Sequence, residues 1–484
     1  MLRFRPTSAL ACLALASCGG TDDLPSVAPQ QDAGQGEASD AYSAPDLPEG
    51  GVASSASAYG IFQLYGDEYS EFRQAMSFSL QDYWGFVDQH VAKLHVHFTR
   101  ANTLLIWGIV EPELGNGFVW NSAMQTDDVI GATYAPAAGK QMDTLLVIEP
   151  SRGKQGDPPF PTGLEAEYQN YVRNVVERYD GDGNDDVNAN ARVKHWQVMN
   201  EPFFALDAGD LTSSQYAELV KLTSQAVRDA DPEARVVLGD LGKHIKEVVP
   251  LLAQAGAFDA IDLHYWSSGT NYQLQTLSNV RASLDANGYS HAEIWMCEFG
   301  STRNSAVGAG AVPTASDQAR WLVKAMVANR AAGVSRILWN NLVGWTNFAG
   351  NPSSPFNFMG LVSSGASSGD DPSMLGKETV AYFAFQRLVA ETEPSVAQLQ
   401  GEISGMPAGV RAFEWTTRSA QSFFVAWSDQ AATQASFPCS SATARIVKLV
   451  PDANGVFEEQ IVAVDQGKAA CNVGLDPVLI QAVE

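Results

Sequence analysis

Short apolar runs alternate with longer amphipathic stretches between about residue 59 and residue 390 of the chain. This alternation is typical of repeated βα units, whose strands form a parallel sheet with both faces buried. It predicts an α/β fold with eight strands, the number that closes a (β/α)8 barrel or TIM barrel. The predicted strands are Tyr59–Tyr65, His97–Trp107, Thr144–Glu149, Val193–Asn200, Arg235–Gly239, Ala260–His264, Glu293–Glu298 and Arg336–Asn341.

Two of the stretches between these strands show a clear helical period. In Glu165–Tyr179 and Ser214–Arg228, apolar residues recur every three or four positions, which places them on one face of a helix. We expect that face of each helix to pack against the outside of the barrel.

The pattern changes near Glu393, where helical stretches give way to alternating strand-like runs. This end of the chain is predicted to form a small antiparallel, β-sandwich-like domain of residues 393–484, packed on a barrel domain of residues 58–392. The predicted strands of this domain are Val410–Trp415, Ser422–Trp427, Ala444–Val450 and Val478–Val483.

The first 17 residues have the layout of a secretory signal peptide, with two arginines, a short apolar run and small residues. Leu15–Cys18 resembles a bacterial lipobox, in which the cysteine is acylated and becomes the mature N-terminus; the alternative is an ordinary signal peptide that ends near a cysteine. Residues 18–57 are rich in Gly, Ser, Ala, Asp and Pro, so we expect a flexible tether. The lipoprotein resemblance, with Gly19 after Cys18, implies export and a lipid anchor at the outer membrane or cell surface.

The composition indicates a folded protein with a large core. Of 484 residues, 45% are hydrophobic and 18% are charged, and the length suits one barrel with a smaller module. The formal net charge of -25 produces a surface field that repels nucleic acid, anionic lipid and polyanionic sugars. We therefore expect a neutral substrate and no nucleic-acid partner, although acidic surfaces also serve solubility alone. The protein is also expected to be a monomer.

Five cysteines are present. Cys12 leaves with the signal peptide and Cys18 is assigned to the lipid. Cys439 and Cys471 lie in one β-rich segment and are predicted to form a disulfide in an oxidising compartment. Cys297 lies in an apolar strand, where we expect a buried, inert thiol.

Two glutamates close predicted strands four and seven. In barrel enzymes the reactive groups project from the C-terminal ends of the strands. Strand four ends in Asn200-Glu201-Pro202 and strand seven ends in Glu298. Hydrolysis of a glycoside with retention requires two carboxyl groups about 5 Å apart, one protonated and one ionised. Because strands four and seven face each other across the barrel mouth, these two residues can reach that separation, although an isolated glutamate at a strand end more often caps a helix or pairs with an arginine.

The segments around these two glutamates resemble clan A of the glycoside hydrolases, from about Tyr59 to Ala390. Asn-Glu-Pro after a tryptophan-containing fourth strand and Glu-Phe-Gly after the seventh carry the resemblance, which is strongest to families 39 and 5. It implies that Glu201 is the acid/base, that Glu298 is the nucleophile and that Asn200 holds the 2-hydroxyl of the sugar. Further matching segments are Thr99-Arg100, Trp107 with Ile109–Pro112, Glu177–Gly183 and Asp262–Tyr265.

The resemblance also implies roles for residues at other strand ends. Arg100 is expected to hydrogen-bond the nucleophile and keep it ionised, with a structural ion pair to Glu149 or another acid as the alternative. His264 is either a substrate contact or a core histidine. Where the family has His-x-Tyr, this chain has Trp266 in place of the tyrosine, so the tyrosine's contact with the nucleophile either falls to Tyr265 or is missing. Tyr265 and Trp266 are both candidate substrate contacts.

Three tryptophans are candidates for stacking on a sugar ring. Trp339 ends the eighth strand, where it is predicted to stack in the subsite before the cleaved bond; core packing is the alternative. Trp345 and Trp120 lie in predicted loops and are candidates for more distant subsites.

The acidic loop Asp180–Asp186 is similar to a calcium-binding loop, but it lacks the glycine at position six and the glutamate at position twelve. A solvated turn is the favoured interpretation. The sequence contains no serine–histidine–aspartate arrangement, phosphate loop, zinc pattern or dinucleotide fingerprint. Two carboxylates suffice for the predicted chemistry, so no metal and no cofactor are expected.

The sequence thus predicts a retaining β-glycoside hydrolase that acts on a neutral poly- or oligosaccharide by double displacement. One alternative is a non-catalytic, carbohydrate-binding surface lipoprotein that keeps the barrel cleft. The presence of both glutamates counts against it. The other alternative is a transglycosylase, which uses the same residues with a sugar hydroxyl in place of water.

Overall fold

The computed structural model describes residues 57–483, apart from 67–68, 121–124, 138–139, 153–158, 267–271, 304–311, 313, 346–353 and 366–371. The predicted signal peptide, Cys18 and all but the last residue of the predicted tether lie outside the described residues. Within the described part of the chain, no helix is both long and apolar enough to cross a membrane.

Eight parallel strands close into a barrel in the order of the sequence. Each predicted strand is present with ends within a few residues of the prediction, and the predicted α/β barrel is confirmed. The strands are β1 (Tyr59–Phe62), β2 (Phe98–Ile106), β3 (Asp143–Glu149), β4 (His195–Val198), β5 (Arg235–Leu238), β6 (Ala260–Trp266), β7 (Glu293–Gly300) and β8 (Val334–Trp339).

Helices surround the barrel and lay their apolar faces on it. The helix predicted at Glu165–Tyr179 has those ends in the structure, and the one predicted at Ser214–Arg228 begins and ends slightly further out. The helices are α1 (Ser70–Met76), α2 (Leu80–Leu94), α3 (Trp107–Val110), α4 (Thr126–Tyr134), α5 (Glu165–Tyr179), α6 (Pro202–Ala208), α7 (Ser213–Ala230), α8 (Ile245–Leu251), α9 (Leu274–Ala286), α10 (Ala315–Ala331) and α11 (Val380–Thr392).

Side chains from alternate strand positions fill the inside of the barrel below its mouth. This inner cluster consists of Phe98, Leu145, Val237, Ala260, Trp295, Cys297 and Leu338. The thiol of Cys297 is fully buried, and burial raises its pKa well above the usual value. The prediction that this thiol is buried is confirmed.

The chain continues from α11 into a second, antiparallel sheet of eight strands. Its sheet order is β12-β15-β14-β13-β16-β11-β10-β9, and it encloses a second apolar core. Ion pairs of Arg320 with Asp476 and of Lys324 with Asp429 join it to α10. The strands are β9 (Ala397–Glu402), β10 (Val410–Thr417), β11 (Ser422–Ser428), β12 (Thr433–Pro438), β13 (Thr443–Lys448), β14 (Glu459–Asp465), β15 (Lys468–Val473) and β16 (Val478–Val483).

The predicted disulfide between Cys439 and Cys471 is wrong, because both thiols are free in the structure. Strands β12 and β15 are neighbours, but Cys471 lies opposite Ala435. The backbone N–H of Cys439 instead donates to the carbonyl oxygen of Gly467 at 2.9 Å. The two cysteines are therefore out of register by roughly 13 Å along the strands, far more than the Cα separation that a disulfide spans.

Candidate active site

Glu201 lies at the barrel mouth, where the chain turns from β4 into α6. It immediately precedes α6, and Pro202 takes the first helical position, where a backbone N–H is not needed. The chain leaves β4 through Met199, whose φ is 60°. Gly239 at the end of β5 makes room for this turn, because a Cβ there would lie 2.3 Å from the carbonyl oxygen of Met199.

Glu298 reaches the mouth by way of a β-bulge in β7. Trp295 pairs with Asp262 of β6, whereas Glu298 pairs with His264, so β7 uses one residue more than β6 over this span. The pairing with β8 shifts at the same place. Under strict alternation, Glu298 would point towards the helices, because Cys297 points into the barrel. The bulge turns the Glu298 side chain into the mouth instead.

Arg100 on β2 donates to three side chains around the mouth. Nη1 donates to Oε1 of Glu298 at 2.8 Å, and Nε donates to Oε1 of Gln197 at 2.8 Å. Nη2 donates to Oδ1 of Asn200. The alternative ion-pair partner, Glu149, accepts the backbone N–H of Asn200 at 2.7 Å. Arg100 therefore places its charge against Glu298 and orients Asn200.

His264 on β6 lies between the two glutamates. Its Nδ1 is 2.9 Å from Oε1 of Glu201. Its Nε2 is 3.1 Å from Oδ2 of Asp262 and 3.7 Å from Oε1 of Glu298. One ring nitrogen of His264 and one carboxylate oxygen from each glutamate all lie within 4.8 Å of one another. His264 is thus part of the polar cluster at the mouth rather than an isolated core histidine.

Burial and neighbouring charges act in opposite directions on this cluster. Burial raises the pKa of Glu298, and the adjacent His264 and Arg100 cations oppose that rise. Burial disfavours the charged form of His264, yet the carboxylates of Glu298, Asp262 and Glu201 raise its pKa well above the usual value. Burial also acts against the Asp262 carboxylate, but His264 and Arg100 outweigh it and lower its pKa. Glu298 therefore has two positively charged neighbours, Arg100 and the protonated form of His264.

Two more carboxyl groups lie around the mouth. Glu149 closes β3, and burial raises its pKa to about 7. Asp240 follows β5, where burial raises its pKa to about 6 and its Oδ2 accepts the backbone N–H of His264 at 3.4 Å.

Three residues of the site, Gln197, Asp240 and Asp262, were not predicted from the sequence to have a role there. Strand alternation could have identified two of them. Gln197 lies two residues from His195 on β4, and Asp262 lies two residues from His264 on β6, so each pair points to the same side of its strand. Asp240 follows its strand in a turn, where strand alternation offers no comparable signal.

Tyr265 and Trp339 do not face the mouth, so their predicted contacts with sugar are wrong. The ring of each lies 6.2 Å from that of Trp321 on α10. On their strands they alternate with His264 and Leu338, which point into the barrel. Trp339 is therefore a core residue, which was the alternative to a sugar contact.

Trp266 does lie at the mouth and remains a candidate substrate contact. Its half-buried ring packs edge-on against Phe356, with the ring centres 5.1 Å apart. It also covers Gly300, where an added Cβ would lie 3.2 Å from the Trp266 ring. A side chain at Gly300 would therefore push this ring from its position.

The other two tryptophans occupy different ends of the barrel. Trp120 packs against Arg178 and Tyr179 at the C-terminal end of α5, which is remote from the mouth. It therefore lines no subsite near the glutamates. Trp345 is nearly buried and packs edge-on against Tyr69, which donates to the carbonyl oxygen of Gln63 after β1.

Among the residues that the structure describes, two groups of side chains have ligand atoms close enough to hold one metal ion. One is the cluster of Glu201, His264 and Glu298. The other comprises three aspartates of the Asp180–Asp186 loop. In that loop, Asp186 accepts the backbone N–H groups of Gly181 and Gly183, so its carboxylate already serves the turn.

No protein-family model and no curated protein sequence matches this chain. Solved structures share its fold. A β-xylosidase from Caulobacter crescentus, described as monomeric, has a TM-score of 0.57 at 15% identity and covers 88% of this chain and 96% of its own. An α-L-arabinofuranosidase from Thermotoga maritima has a TM-score of 0.55 at 13% identity, with 88% and 96% covered. The GH39 enzyme from Xanthomonas axonopodis pv. citri has a TM-score of 0.53 at 14% identity, with 88% and 93% covered. The chain therefore has the fold of clan A glycoside hydrolases, as the sequence resemblance implied.

Proposed function

We propose that this chain is a retaining β-glycoside hydrolase of clan A that acts on a neutral poly- or oligosaccharide. The separation of Glu201 and Glu298 is the observation that carries the proposal, since a carboxylate oxygen of one lies within 4.8 Å of a carboxylate oxygen of the other. Retaining enzymes hold these groups about 5 Å apart, whereas inverting enzymes leave roughly 6.5–9.5 Å for a water molecule. The short separation supports double displacement.

In the first step, Glu298 acts as the nucleophile. Arg100 and His264 both engage its Oε1, and no hydrogen bond from the described residues reaches its Oε2. A bond forms between Oε2 and the anomeric carbon while the bond from that carbon to the leaving oxygen breaks. Glu201 gives a proton to the leaving oxygen.

In the second step, Glu201 acts as the base. It takes a proton from water, the water oxygen bonds to the anomeric carbon, and the ester bond to Glu298 breaks. Two displacements at one carbon return the β configuration. Asn200, oriented by Arg100, holds the 2-hydroxyl of the sugar. A sugar hydroxyl in place of water gives transglycosylation with the same residues.

A neutral substrate is supported by the charges at the mouth. Glu149 and Asp240 add carboxyl groups to the two reacting glutamates at the mouth, so an anionic sugar meets repulsion there. Trp266 offers an aromatic face on which a sugar ring can stack. Because the structures of similar fold include a β-xylosidase and an α-L-arabinofuranosidase, xylosides and arabinofuranosides are the first glycosides to test.

Proton NMR of an early reaction mixture tests the proposal. A screen against xylan, mannan, β-glucan and aryl glycosides identifies a cleaved β-glycoside, and the first product detected should be its β-anomer. An α-anomer formed first would contradict double displacement. Binding without turnover of any of these sugars would favour the carbohydrate-binding alternative.

We also propose that the protein is exported and anchored through an acylated Cys18. The support is the lipobox-like segment Leu15–Cys18 and the tether-like composition that follows it. The mature protein should partition into detergent, and mass spectrometry of its N-terminal peptide should show the acyl groups. An unmodified N-terminus at another residue would remove the anchor.

A further inference from the structure

Asp262, His264 and Glu201 form a continuous chain of hydrogen bonds from the barrel interior to its mouth. Nε2 of His264 lies 3.1 Å from Oδ2 of Asp262, and Nδ1 lies 2.9 Å from Oε1 of Glu201. Ionised carboxylates only accept hydrogen bonds, and a histidine donates from both nitrogens only as the imidazolium. This geometry therefore favours a positively charged His264.

Asp262 is held in place and does not reach the mouth. Its Oδ1 accepts the backbone N–H of Cys297 at 2.8 Å, within the bulge of β7, and its Oδ2 accepts Nε2 of Gln197 at 3.2 Å. Its exposed fraction is 0%, so it does not touch a bound sugar. Asp262 acts on the reaction only through His264.

Charged side chains from six strands belong to the network that includes His264. They are Arg100 of β2, Glu149 of β3, Glu201 after β4, Asp240 after β5, Asp262 of β6 and Glu298 of β7. Carboxyl groups outnumber the single arginine in this set. Although burial opposes a charge on His264, the carboxylates of Glu298, Asp262 and Glu201 raise its pKa well above the usual value.

We propose that His264 stores the catalytic proton in the free enzyme and passes it to Glu201, and that Asp262 is the positioning residue that makes this storage possible. The proposal rests on the proposed function, because it takes Glu201 as the acid/base. The competing arrangement keeps the proton on Glu201 in the free enzyme.

Loss of the negative charge on Glu298 during the first step favours proton transfer from His264 to Glu201. In the free enzyme the Glu298 carboxylate lies 3.7 Å from Nε2 of His264 and stabilises the imidazolium. As Glu298 bonds to the anomeric carbon, it loses this charge. The N–H bond at Nδ1 of His264 then breaks while an O–H bond forms at Glu201, and Glu201 delivers a proton to the leaving oxygen.

The second step reverses these changes. Glu201 takes a proton from water as the ester to Glu298 opens, and it returns a proton to Nδ1 of His264. Glu298 and His264 regain their charges together, so the net charge of the site is restored with each turnover.

Asp262→Asn tests the proposal with little change of shape. The new amide N–H donates to Nε2 of His264, which leaves a neutral imidazole that keeps its Nδ1 proton. Nitrogen NMR of histidine-labelled protein distinguishes the two forms, and the His264 signals are those missing from His264→Gln. We expect two protonated ring nitrogens at neutral pH in the wild type and one in Asp262→Asn. A neutral His264 in the wild type would overturn the proposal, even if Asp262→Asn fails to fold.

The dependence on the leaving group provides a second readout. A dinitrophenol departs without protonation, whereas an alcohol requires the acid. Asp262→Asn should lower kcat/KM for an alkyl glycoside by at least about tenfold and change the value for a dinitrophenyl glycoside far less. Because loss of the Asp262 charge lowers the pKa of His264, the alkaline limb of kcat/KM should move to lower pH. Equal losses on both substrates with an unmoved alkaline limb would contradict proton storage on His264.

Asp143 and His195 provide a matched control at the opposite end of the barrel. They form a buried pair in which Nδ1 of His195 lies 3.2 Å from Oδ2 of Asp143. Asp143→Asn should lower stability without changing the leaving-group dependence or the alkaline limb. If the wild type hydrolyses no glycoside, the proposed function fails, whereas the NMR measurement still decides the charge of His264.

Discussion

Arg100 and Glu298 meet across the mouth of the barrel, with Nη1 of the guanidinium 2.8 Å from Oε1 of the carboxylate although 198 residues separate them. Their side chains are 2% and 11% exposed, so solvent and salt screen their attraction little. The same guanidinium holds Gln197 and Asn200. A single buried cation thus links the proposed nucleophile to the amide proposed to bind sugar.

Removal of the Arg100 guanidinium should move the acidic limb of the pH profile of kcat/KM to higher pH. Burial raises the pKa of Glu298, and Arg100 opposes that rise. In Arg100→Met the pKa should therefore rise further, so that Glu298 becomes protonated and inactive at a higher pH. We expect the acidic limb of kcat/KM to move up by about one pH unit, which is about a tenfold loss below the limb.

Arg178→Met is the matched control for this shift. Arg178 pairs with Asp127 on the outer surface of the barrel, and its loss should leave the acidic limb in place. An unmoved limb in Arg100→Met itself would show that Arg100 does not control the ionisation of Glu298.

Glu201→Ala and Glu298→Ala should each fold normally and lose activity by roughly 10²-fold to 10⁴-fold or more. Azide should restore turnover in Glu201→Ala with a β-glycosyl azide as product, because it replaces water in the second step. In Glu298→Gly it should yield the α-anomer by direct displacement. Product NMR distinguishes the two azides, and wild-type turnover in either alanine variant would refute the assignment.

Substitution of Trp339 should mainly lower stability, whereas substitution of Trp266 should mainly weaken substrate binding. Trp339 is fully buried, and its Nε1 donates to the carbonyl oxygen of Met359 at 2.8 Å. Trp339→Phe should lower the free energy of unfolding by about 1–3 kcal/mol with little change in KM. Trp266→Ala should raise KM with a smaller loss of stability. Denaturant unfolding and steady-state kinetics of both variants test this contrast, and a higher KM in Trp339→Phe alone would contradict the orientations described above.

Glu393 should make stability depend on pH at a site remote from the mouth. Its side chain is buried, and its Oε1 accepts the backbone N–H of Ala58 at 3.1 Å. Burial raises its pKa from 4.5 to about 7. The unfolded chain therefore releases this proton first, so the stabilisation is full below 4.5 and is lost as pH rises through about 7.

Glu393→Gln removes this titration. It should raise the free energy of unfolding by up to about 3 kcal/mol above pH 8, with little change near pH 4. Urea unfolding across this range measures the effect, and activity should be unchanged. A stability difference that is the same at both ends of the range would show that Glu393 has an ordinary pKa in the folded protein.

Local patterns in the chain were enough to predict the order of the helices and strands and the position of one reacting group, Glu201. The barrel strands were predictable because parallel strands covered on both faces require continuous apolar runs. The ends of Glu165–Tyr179 were predictable because the apolar period of a helix stops where its contact with the barrel stops. Glu201 lies shortly after its strand in Asn-Glu-Pro, so local features were enough to predict its position at the mouth.

Which other side chains face the mouth depends on contacts between segments that are distant in sequence. Local alternation would point Glu298 outward, and the bulge that turns it inward arises from pairing with β6 and β8, which lie elsewhere in the sequence. Tyr265 and Trp339 also lie at the C-terminal ends of their strands, but α10 covers the face that they occupy. Cys439 and Cys471 lie on neighbouring chain segments, yet the register of β12 on β15 keeps them apart. Bulges and register depend on partner strands that are distant in sequence, so a local pattern reports burial but not these contacts.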